Sequence, residues 1–326
     1  MLSEFDLIKQ YFVRSAPARA TLGIGDDCAL LTPAPGMQVA ISSDMLVEGR
    51  HFFAGADARM LGHKSLAVNL SDLAAMGAQP IAFTLALALP AADQDWLAGF
   101  SRGLFELADA FDCELIGGDT TRGPLTICIT IFGQLAPGQA LRRAGALPGD
   151  DVWISGTLGD ARLALAALQH ELALDPATLA LAAPRLHLPA PRVALGRALA
   201  GAALAHAALD ISDGLAGDIL HILAASNVGA TLDADALPAG PALATQSRSL
   251  RRQFAAAGGD DYELCFTAAP RHRAAIVQAA AGCTTAVTRV GVIEQAPGLR
   301  FVDGAGRPLA LSVAGFDHFA TASVTA

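Results

Sequence analysis

The hydrophobic positions of this chain follow two rhythms that alternate from one end to the other. Apolar residues that recur every three or four positions predict amphipathic helices, and apolar residues at every second position predict strands. The clearest helical segment places Trp96, Phe100, Leu104, Leu107 and Phe111 at such spacings. The segments predicted as helices are 3–11, 61–76, 93–111 and a proline-interrupted stretch from 158 to 204. The segments predicted as strands are 39–43, 82–89, 125–132, 152–155, 229–233 and 262–267. This alternation predicts an α/β protein with mixed sheets.

The rhythm changes around residues 148–151, where Pro, Gly and two Asp residues follow one another. A strand-rich half precedes this point, and long Ala- and Leu-rich helices follow it. Because 326 residues leave room for two domains of ordinary size, we expect a boundary near Gly149. The predicted domains are 1–148 and 149–326.

The composition narrows the class of protein. Hydrophobic residues make up 53% of the chain, which excludes intrinsic disorder, and the net charge of −9 counts against nucleic-acid binding. The uncharged stretch 73–92 is broken by Gly77, Pro80 and Pro90, so no membrane span is expected. Five widely spaced cysteines without a CxxC pair indicate buried thiols in a reducing compartment. With two acids near the N-terminus instead of basic residues, we expect a cytoplasmic protein.

Acidic residues are concentrated in predicted loops that follow or precede apolar segments. A solvated turn is the ordinary explanation of any single one, but six of them together favour a shared cation site. These segments are 23–28 (GIGDDC), 42–44 (SSD), Asp72, 117–121 (GGDTT), 210–214 (DISDG) and 258–263 (GGDDYE).

The predicted helix 61–76 carries a polar stripe on an otherwise apolar surface. At 100° per residue, Ser65, Asn69, Asp72 and Met76 fall within an arc of roughly 60°. Exposure to solvent could also produce such a stripe, but it lacks the Lys/Glu mixture of an ordinary exposed face. We therefore expect it to line a site. We assign no site role to Lys64, which could be a solvent-exposed residue at the start of this helix.

Glycines next to these acids suit the binding of an anion. Gly23, Gly25, Gly117 and Gly118 would allow backbone N–H groups to approach a phosphate closely. The common motifs are missing, however. Neither lysine of the chain follows a glycine, which excludes a Walker A loop, and GxGxxG, GxSxG, HExxH, HRD and DFG do not occur.

Six aspartates brought into one cleft would repel each other and any phosphate. Such a site is tolerable only if several Mg²⁺ ions occupy it, each held by one or two carboxylates together with phosphate oxygens and water. Phosphoryl transfer requires this arrangement. Arg142 and Arg143 lie just before the expected boundary and could hold terminal phosphates. The six aspartates are Asp27, Asp44, Asp72, Asp119, Asp210 and Asp213.

Seven ordered motifs across the chain resemble those of the thiamine-monophosphate kinases. These enzymes belong to the superfamily of aminoimidazole-ribonucleotide synthetase and selenophosphate synthetase. The motifs are GIGDDCA at 23–29, SSDMLVEGRHF at 42–52, KSLAVNLSDLAAMGA at 64–78, LIGGDTTRGP at 115–124, DISDGL at 210–215, GGDDYEL at 258–264 and GFDHF at 315–319.

The resemblance implies an enzyme that phosphorylates thiamine monophosphate to thiamine diphosphate, with ATP as co-substrate and several Mg²⁺ ions, by direct in-line transfer. It implies a two-domain fold of the aminoimidazole-ribonucleotide synthetase type. In that fold the N-terminal domain binds ATP and Mg²⁺ and forms a homodimer through its strands. The C-terminal domain completes the nucleotide and substrate site. No catalytic general base is implied.

The resemblance also implies a role for individual residues. The implied Mg²⁺ ligands are Asp27, Ser42, Ser43, Asp44, Asp72, Asp119, Asp210 and Asp213. The implied nucleotide contacts are Gly118, Asp119, Arg143 and Ser212, and the implied contacts to thiamine monophosphate are His51, Asp261 and Phe316. Three residues depart from the family pattern: Asp260 replaces Glu, Met45 replaces Thr, and Phe316 replaces Tyr or Trp.

Several of these residues could instead be purely structural. A histidine beside Phe52 and Phe53 often is, an isolated Phe316 is often a core residue, and Asp260 and Asp261 could simply shape a turn. Two further functions are also open for the whole chain. One is another ATP-dependent enzyme of the same superfamily, although the position of Cys28 inside GIGDDCA disfavours a selenophosphate synthetase. The second is a non-catalytic module that binds a cation or a nucleotide.

Overall fold

The structure is a computed structural model, and it describes residues 4–14 and 19–311. Its helices are α1 (Glu4–Tyr11), α2 (Ala58–Met76), α3 (Gln94–Ala110), α4 (Asp160–Leu168), α5 (Pro176–His187), α6 (Val193–Gly201), α7 (Leu215–Ser226), α8 (Arg248–Ala257) and α9 (Arg273–Gly282). Its strands are β1 (Ala20–Leu22), β2 (Leu30–Leu31), β3 (Gln38–Val47), β4 (Gln79–Leu89), β5 (Glu114–Arg122), β6 (Thr126–Leu135), β7 (Asp151–Ser155), β8 (Ala207–Ile211), β9 (Gly229–Asp233), β10 (Glu263–Ala268), β11 (Val287–Glu294), β12 (Gly298–Val302) and β13 (Pro308–Leu309).

The described residues form two compact units. The first unit lies within Met1–Arg142, His187–Ala205 and Ala275–Thr285, and the second within Arg143–Leu186, His206–Ala274 and Ala286–Ala326. The chain therefore passes between the units several times. The domain boundary near Gly149 stays a prediction.

The first unit is built on a four-stranded mixed sheet in the order β3-β6-β4-β5, in which only β4 and β5 run parallel. Helix α2 packs on this sheet and also contacts α3 and α6, so it is buried almost all round. Lys64 is only 5% exposed there, so it is not the solvent-exposed residue that its position at the helix start allowed. A helix enclosed by a sheet and two other helices leaves few positions for water.

The second unit contains a seven-stranded sheet in the order β13-β12-β9-β11-β7-β10-β8. Its strands pair antiparallel except β12 with β9. Strands β7, β8 and β10 are buried at almost every position. The core around them is built mainly from Ala, Leu, Ile and Val, as the low aromatic content requires. The predicted α/β class with mixed sheets is confirmed in both units.

The helix ends follow the capping signals of the sequence. Helix α2 begins after Asp57, whose carboxylate accepts the Met60 N–H, and ends at Gly77 in a left-handed conformation. Asp93 caps α3 in the same way. Ser3, the expected cap of the first helix, lies outside the described residues.

The prediction of loops is wrong for two of the acidic segments, which belong to strands. Asp44 lies within β3, and the segment 117–121 lies within β5. Strand β3 continues to Val47 because all ten of its residues pair with β6. The acids of these segments therefore project from sheet faces. Across the described part of the chain, no helix combines the length and apolar character needed to cross a membrane.

Candidate active site

Strand β3 and helix α2 bring four polar residues of the first unit together. The Ser42 hydroxyl donates a short hydrogen bond to the Asp72 carboxylate. Asn69 accepts the Asp44 N–H through its side-chain oxygen at 3.2 Å, and its amide nitrogen donates to the Ser65 carbonyl at 3.0 Å. The polar stripe of α2 therefore faces β3 at Asn69 and Asp72, while Met76 at its end is 36% exposed.

Asp44 and Asp72 make this group electrostatically unfavourable. Burial is the main cause that raises the pKa of Asp44 from 3.8 to about 7, and the charge of Asp72 and a hydrogen bond with its carboxylate act in the same direction. The donor set of this group consists of two carboxylates, a hydroxyl and an amide oxygen. Such oxygens are the ligands that Mg²⁺ takes in proteins.

Two other predicted ligands, Ser43 and Asp119, lie on the opposite face of the same sheet. Side chains alternate between faces along a strand, and Ser43 pairs with Thr130 on β6. Asp119 lies on that face as well, because it pairs with Ala86, which in turn pairs with Cys128. Ser43 and Asp119 therefore point away from Asp44. The sequence could not reveal this division, since it depends on the strand register.

A cavity of about 550 Å³ opens within the first unit beside Asp119. The loop 23–29 lines one side of it, including Asp27, and β4 and β5 line the other, including Thr84 and Gly118. Asp27 and Asp119 are both exposed and share this cavity. Its size suits a small-molecule ligand, and Asp27 and Asp119 contribute carboxylates to a lining that is mostly apolar.

Close packing of β5 against β4 in the wall of this cavity requires a glycine at position 118. A Cβ atom at residue 118 would lie 1.9 Å from the Leu85 carbonyl oxygen, and the φ angle is +145°. Strand β5 can therefore approach β4 only with glycine at this position. The contact of Gly118 with a nucleotide stays a prediction.

The second unit presents its own acidic segment between β8 and α7. Asp210 lies in β8, and Ser212 and Asp213 follow it. The Asp218 carboxylate accepts the N–H groups of Ser212 at 3.0 Å and Asp213 at 3.1 Å. Burial and the charge of Asp213 raise the pKa of Asp218 to about 6, although these hydrogen bonds oppose the rise. The sequence motifs do not point to Asp218, and its position in the first turn of a helix after an acidic loop is the available signal.

Asp261 lies in the interior of the second unit. It is 1% exposed, and its carboxylate oxygens accept the Gly159 N–H at 2.9 and 3.1 Å. Burial raises the pKa of Asp261 well above its usual value. Its neighbours Asp260 and Tyr262 adopt positive φ angles of 65° and 49°, which is uncommon for residues other than glycine.

A buried ion pair supports the same loop. Arg185 donates to Glu263 at 2.7 Å and to the Asp261 carbonyl at 3.1 Å, and Ser155 donates to Glu263 at 2.6 Å. No local pattern in the sequence indicates Arg185 or Ser155, because Ser155 and Glu263 are 108 residues apart. The contact of Asp261 with substrate stays a prediction, and its carboxylate faces the interior here.

Three further residues are predicted to contact a ligand: His51, Arg143 and Phe316. The Nδ1 atom of His51 accepts the Val47 N–H at 2.9 Å, which fixes the imidazole ring in the turn after β3. Arg143 is exposed, and its carbonyl accepts a hydrogen bond from Ser226. Phe316 lies outside the described residues. The ligand roles of all three stay predictions.

The described residues contain no group of three or more His, Cys, Asp or Glu side chains that could hold a metal ion by themselves. Asp44 and Asp72 form a pair, and Asp27 and Asp119 share a cavity. A pair is nevertheless sufficient for Mg²⁺, which commonly takes one or two carboxylates and completes its shell with phosphate oxygens and water.

Comparisons with known proteins relate this chain to one family over almost its whole length. Residues 25–135 match the AIR synthase related protein, N-terminal domain, and residues 148–304 match the C-terminal domain of the same family. The thiamine-monophosphate kinase of Salmonella typhimurium is 46% identical over 325 residues, covering 98% of each chain.

Two solved structures extend the comparison. The crystal structure of thiamine-monophosphate kinase from Stenotrophomonas maltophilia is 49% identical, with a TM-score of 0.82 over 89% of this chain and 92% of that one. The structure of AaThiL complexed with AMPPCP and TMP is 26% identical, with a TM-score of 0.76 over 88% of this chain and 89% of that one.

Proposed function

This chain belongs to the thiamine-monophosphate kinases of the AIR synthase related family, and from that premise we propose how it performs the reaction. The enzyme uses ATP to convert thiamine monophosphate into thiamine diphosphate. The proposal is that the γ-phosphoryl group passes directly to a phosphate oxygen of the acceptor, in line, with the assistance of Mg²⁺. The alternative of a non-catalytic binding module is thereby set aside.

The observation that carries the proposal is the paired carboxylates of Asp44 and Asp72. Two acids held together at a half-buried position cost free energy unless a cation lies between or beside them. The Ser42 hydroxyl and the Asn69 amide fix both residues in place. We assign this pair and Ser42 to one Mg²⁺ position. When bound there, Mg²⁺ would neutralise negative charge on the transferred phosphoryl group.

The other predicted ligands supply further positions for cations and nucleotide. In the first unit, Asp27 and Asp119 line the cavity beside Gly118, and Ser43 lies on the same face of the sheet as Asp119. In the second unit, Asp210 and Asp213 flank Ser212, whose N–H is held by Asp218. We propose that these residues bind Mg²⁺ and ATP phosphates, and that Arg143 binds the nucleotide.

The acceptor needs no general base from the protein. A phosphate monoester has a second pKa near 6, so its oxygen is already ionised at neutral pH. We propose that His51 and Phe316 bind thiamine monophosphate. We also propose Asp261 as a contact to the substrate; in the second unit its carboxylate accepts the Gly159 N–H.

The experiment that tests this function compares acceptors. Thiamine monophosphate should be phosphorylated and free thiamine refused, because a hydroxyl group would have to be deprotonated and offers fewer oxygens to a metal. EDTA should abolish the reaction, and excess Mg²⁺ should restore it. Equal use of both acceptors, or full activity with EDTA, would contradict the proposal.

Phe316 offers a test of the acceptor site alone. Phe316→Ala should raise KM for thiamine monophosphate about fivefold or more while changing KM for ATP little, since one aromatic contact is worth ~1 kcal/mol. KM for ATP, measured on the same variant, serves as the control. A change confined to ATP would mean that the acceptor site has been assigned wrongly.

We propose a homodimer formed through the outer face of β3. This strand lies at the edge of its sheet, and Ile41 and Met45 are 63% and 55% exposed on that face. Light scattering should give twice the 33.3 kDa chain mass. Ile41→Asp should lower that mass to one chain, whereas Leu181→Asp on α5, where the leucine is 50% exposed, should not. A monomeric wild-type protein would refute the dimer.

The cysteines support a reducing compartment such as the cytoplasm. All five are free thiols, and Cys28 is exposed. Burial raises the pKa of Cys113 to about 12, which keeps this thiol protonated and unreactive.

A further inference from the structure

The segment that follows Arg143 is fastened to helix α7 by one side chain. The Ser226 hydroxyl accepts the N–H groups of Gly145 and Ala146, both at 3.1 Å, and donates to the Arg143 carbonyl at 3.3 Å. All of these residues belong to the second unit. The backbone on both sides of residue 144 is thus tied to the last residue of α7.

These three hydrogen bonds use the complete capacity of the hydroxyl group. A serine hydroxyl has one proton to donate and two lone pairs that accept. An alanine at position 226 would remove all three bonds without disturbing α7, because alanine is the better helix former. The Ser226 hydroxyl therefore holds the backbone of residues 143–146 in one orientation.

The same segment is fixed from its other side. A Cβ atom on Gly145 would lie 2.5 Å from the His206 carbonyl oxygen, and the φ angle of Gly145 is +124°. The buried Asp150 carboxylate accepts the Leu147 N–H at 2.9 Å and lies 2.8 Å from Nδ1 of His206. The backbone after Arg143 therefore has little freedom while Ser226 is in place.

Helix α7 supports a second predicted nucleotide contact as well. Asp218, in its first turn, holds the N–H groups of Ser212 and Asp213, and Ser226 at its end holds the Arg143 segment. Ser226 lies eight positions after Asp218, which is roughly 12 Å along the helix axis. One rigid helix therefore fixes two chain segments that the proposed function assigns to the same ligand.

We infer that Ser226 is a positioning residue for ATP, which acts through the backbone of residues 143–146 to aim Arg143 at the nucleotide. This inference rests on the proposed role of Arg143 as a nucleotide contact. Ser226 itself touches no substrate in this scheme. Its effect must therefore depend on the presence of the arginine side chain.

The test is a double-mutant cycle in the full-length enzyme, read as KM for ATP. Ser226→Ala should raise KM for ATP about three- to tenfold with little change in kcat, as expected for the loss of one or two net hydrogen bonds. Ser226→Thr, which keeps the hydroxyl, should stay close to wild type. Ser247→Ala, which removes the hydroxyl cap of α8, is the matched control and should leave KM unchanged.

The arginine variant separates this inference from the function on which it rests. Arg143→Ala should raise KM for ATP at least as much as Ser226→Ala, and the double variant should be no worse than Arg143→Ala alone. If Arg143→Ala leaves KM unchanged, the nucleotide role of Arg143 is wrong. If Arg143→Ala raises KM but Ser226→Ala does not, or if the two effects add in full, the inference alone is overturned.

Hydrogen exchange gives a readout independent of turnover. The amides of Gly145 and Ala146 should exchange faster in Ser226→Ala than in wild type, and at the wild-type rate in Ser247→Ala. Unchanged exchange at both amides would show that Ser226 does not hold the segment.

Discussion

Two places in this protein, one in each unit, set carboxylates against opposite kinds of partner. In the second unit, Glu263 is fully buried against Arg185 and Ser155, and Asp160 accepts the N–H groups of Leu243 and Ala242 at 2.7 and 3.3 Å. In the first unit, Asp44 faces Asp72, and the neighbouring charge adds to the effect of burial on its pKa.

The difference separates structural acids from functional ones. A buried carboxylate that meets an arginine or backbone N–H groups stabilises the loops around it. A carboxylate that meets another carboxylate costs stability until a cation arrives. Such a cost is kept where activity depends on it. We therefore expect opposite results when acids of the two groups are neutralised.

The largest expected effect is on turnover in the first unit. Asp44→Asn and Asp72→Asn should each lower kcat by two orders of magnitude or more, on the order of the ~3 kcal/mol that one electrostatic contact to the transition state supplies. Circular dichroism should show an unchanged fold. Near wild-type turnover of either variant would remove that residue from the metal site.

The matching substitution in the second unit should act on stability. Glu263→Gln removes the carboxylate that pairs with Arg185 in a largely buried place, so the free energy of unfolding should fall by about 3 kcal/mol while most of the turnover persists. Denaturant unfolding measures this change. Glu294→Gln, which weakens the exposed pair with Arg300, is the control and should cost less than about 1 kcal/mol. Equal costs for the two variants would contradict the distinction.

The smallest of these effects is a dependence on pH. The pKa of Asp44 is raised to about 7 in the folded protein, whereas its ordinary value, which we take for the unfolded chain, is 3.8. Between these two pH values the folded state keeps a proton on Asp44 that the unfolded state has lost. Stability conferred by this proton is lost as pH rises through about 7. Asp44→Asn cannot titrate. In metal-free buffer its stability relative to wild type should increase by about 1 kcal/mol between about pH 6 and pH 7. A constant difference would show that Asp44 is ionised throughout.

Local patterns were sufficient to predict much of the fold. Helices α2 and α3 have strong caps at Asp57 and Asp93, and Gly77 ends α2 where the apolar pattern stops. Strand β9 matches its predicted range from Gly229 to Asp233. These elements depend on contacts within a few residues, which the sequence displays directly.

The prediction failed where long-range pairing decides the conformation. Residues 117–121 contain Gly and Asp, which are rare in strands, yet parallel pairing with β4 makes them part of β5. Strand register likewise divides Ser42 and Ser43 between the two faces of a sheet. The family motifs identified the function correctly, but they carry no information about which face an acid occupies. Arg185 and Ser226 also act through partners far away in the chain.

The central claim, that Asp44 and Asp72 are held together for a cation, is tested most directly by thermal unfolding against Mg²⁺ concentration. Wild-type protein without metal should be no more stable than Asp44→Asn. At a hundredfold excess over Kd, Mg²⁺ should add about 2–3 kcal/mol to the free energy of unfolding of the wild type and raise its Tm by several degrees. Asp44→Asn should show little of this rise. An equal rise in both proteins would contradict the claim, because the cation would then bind elsewhere.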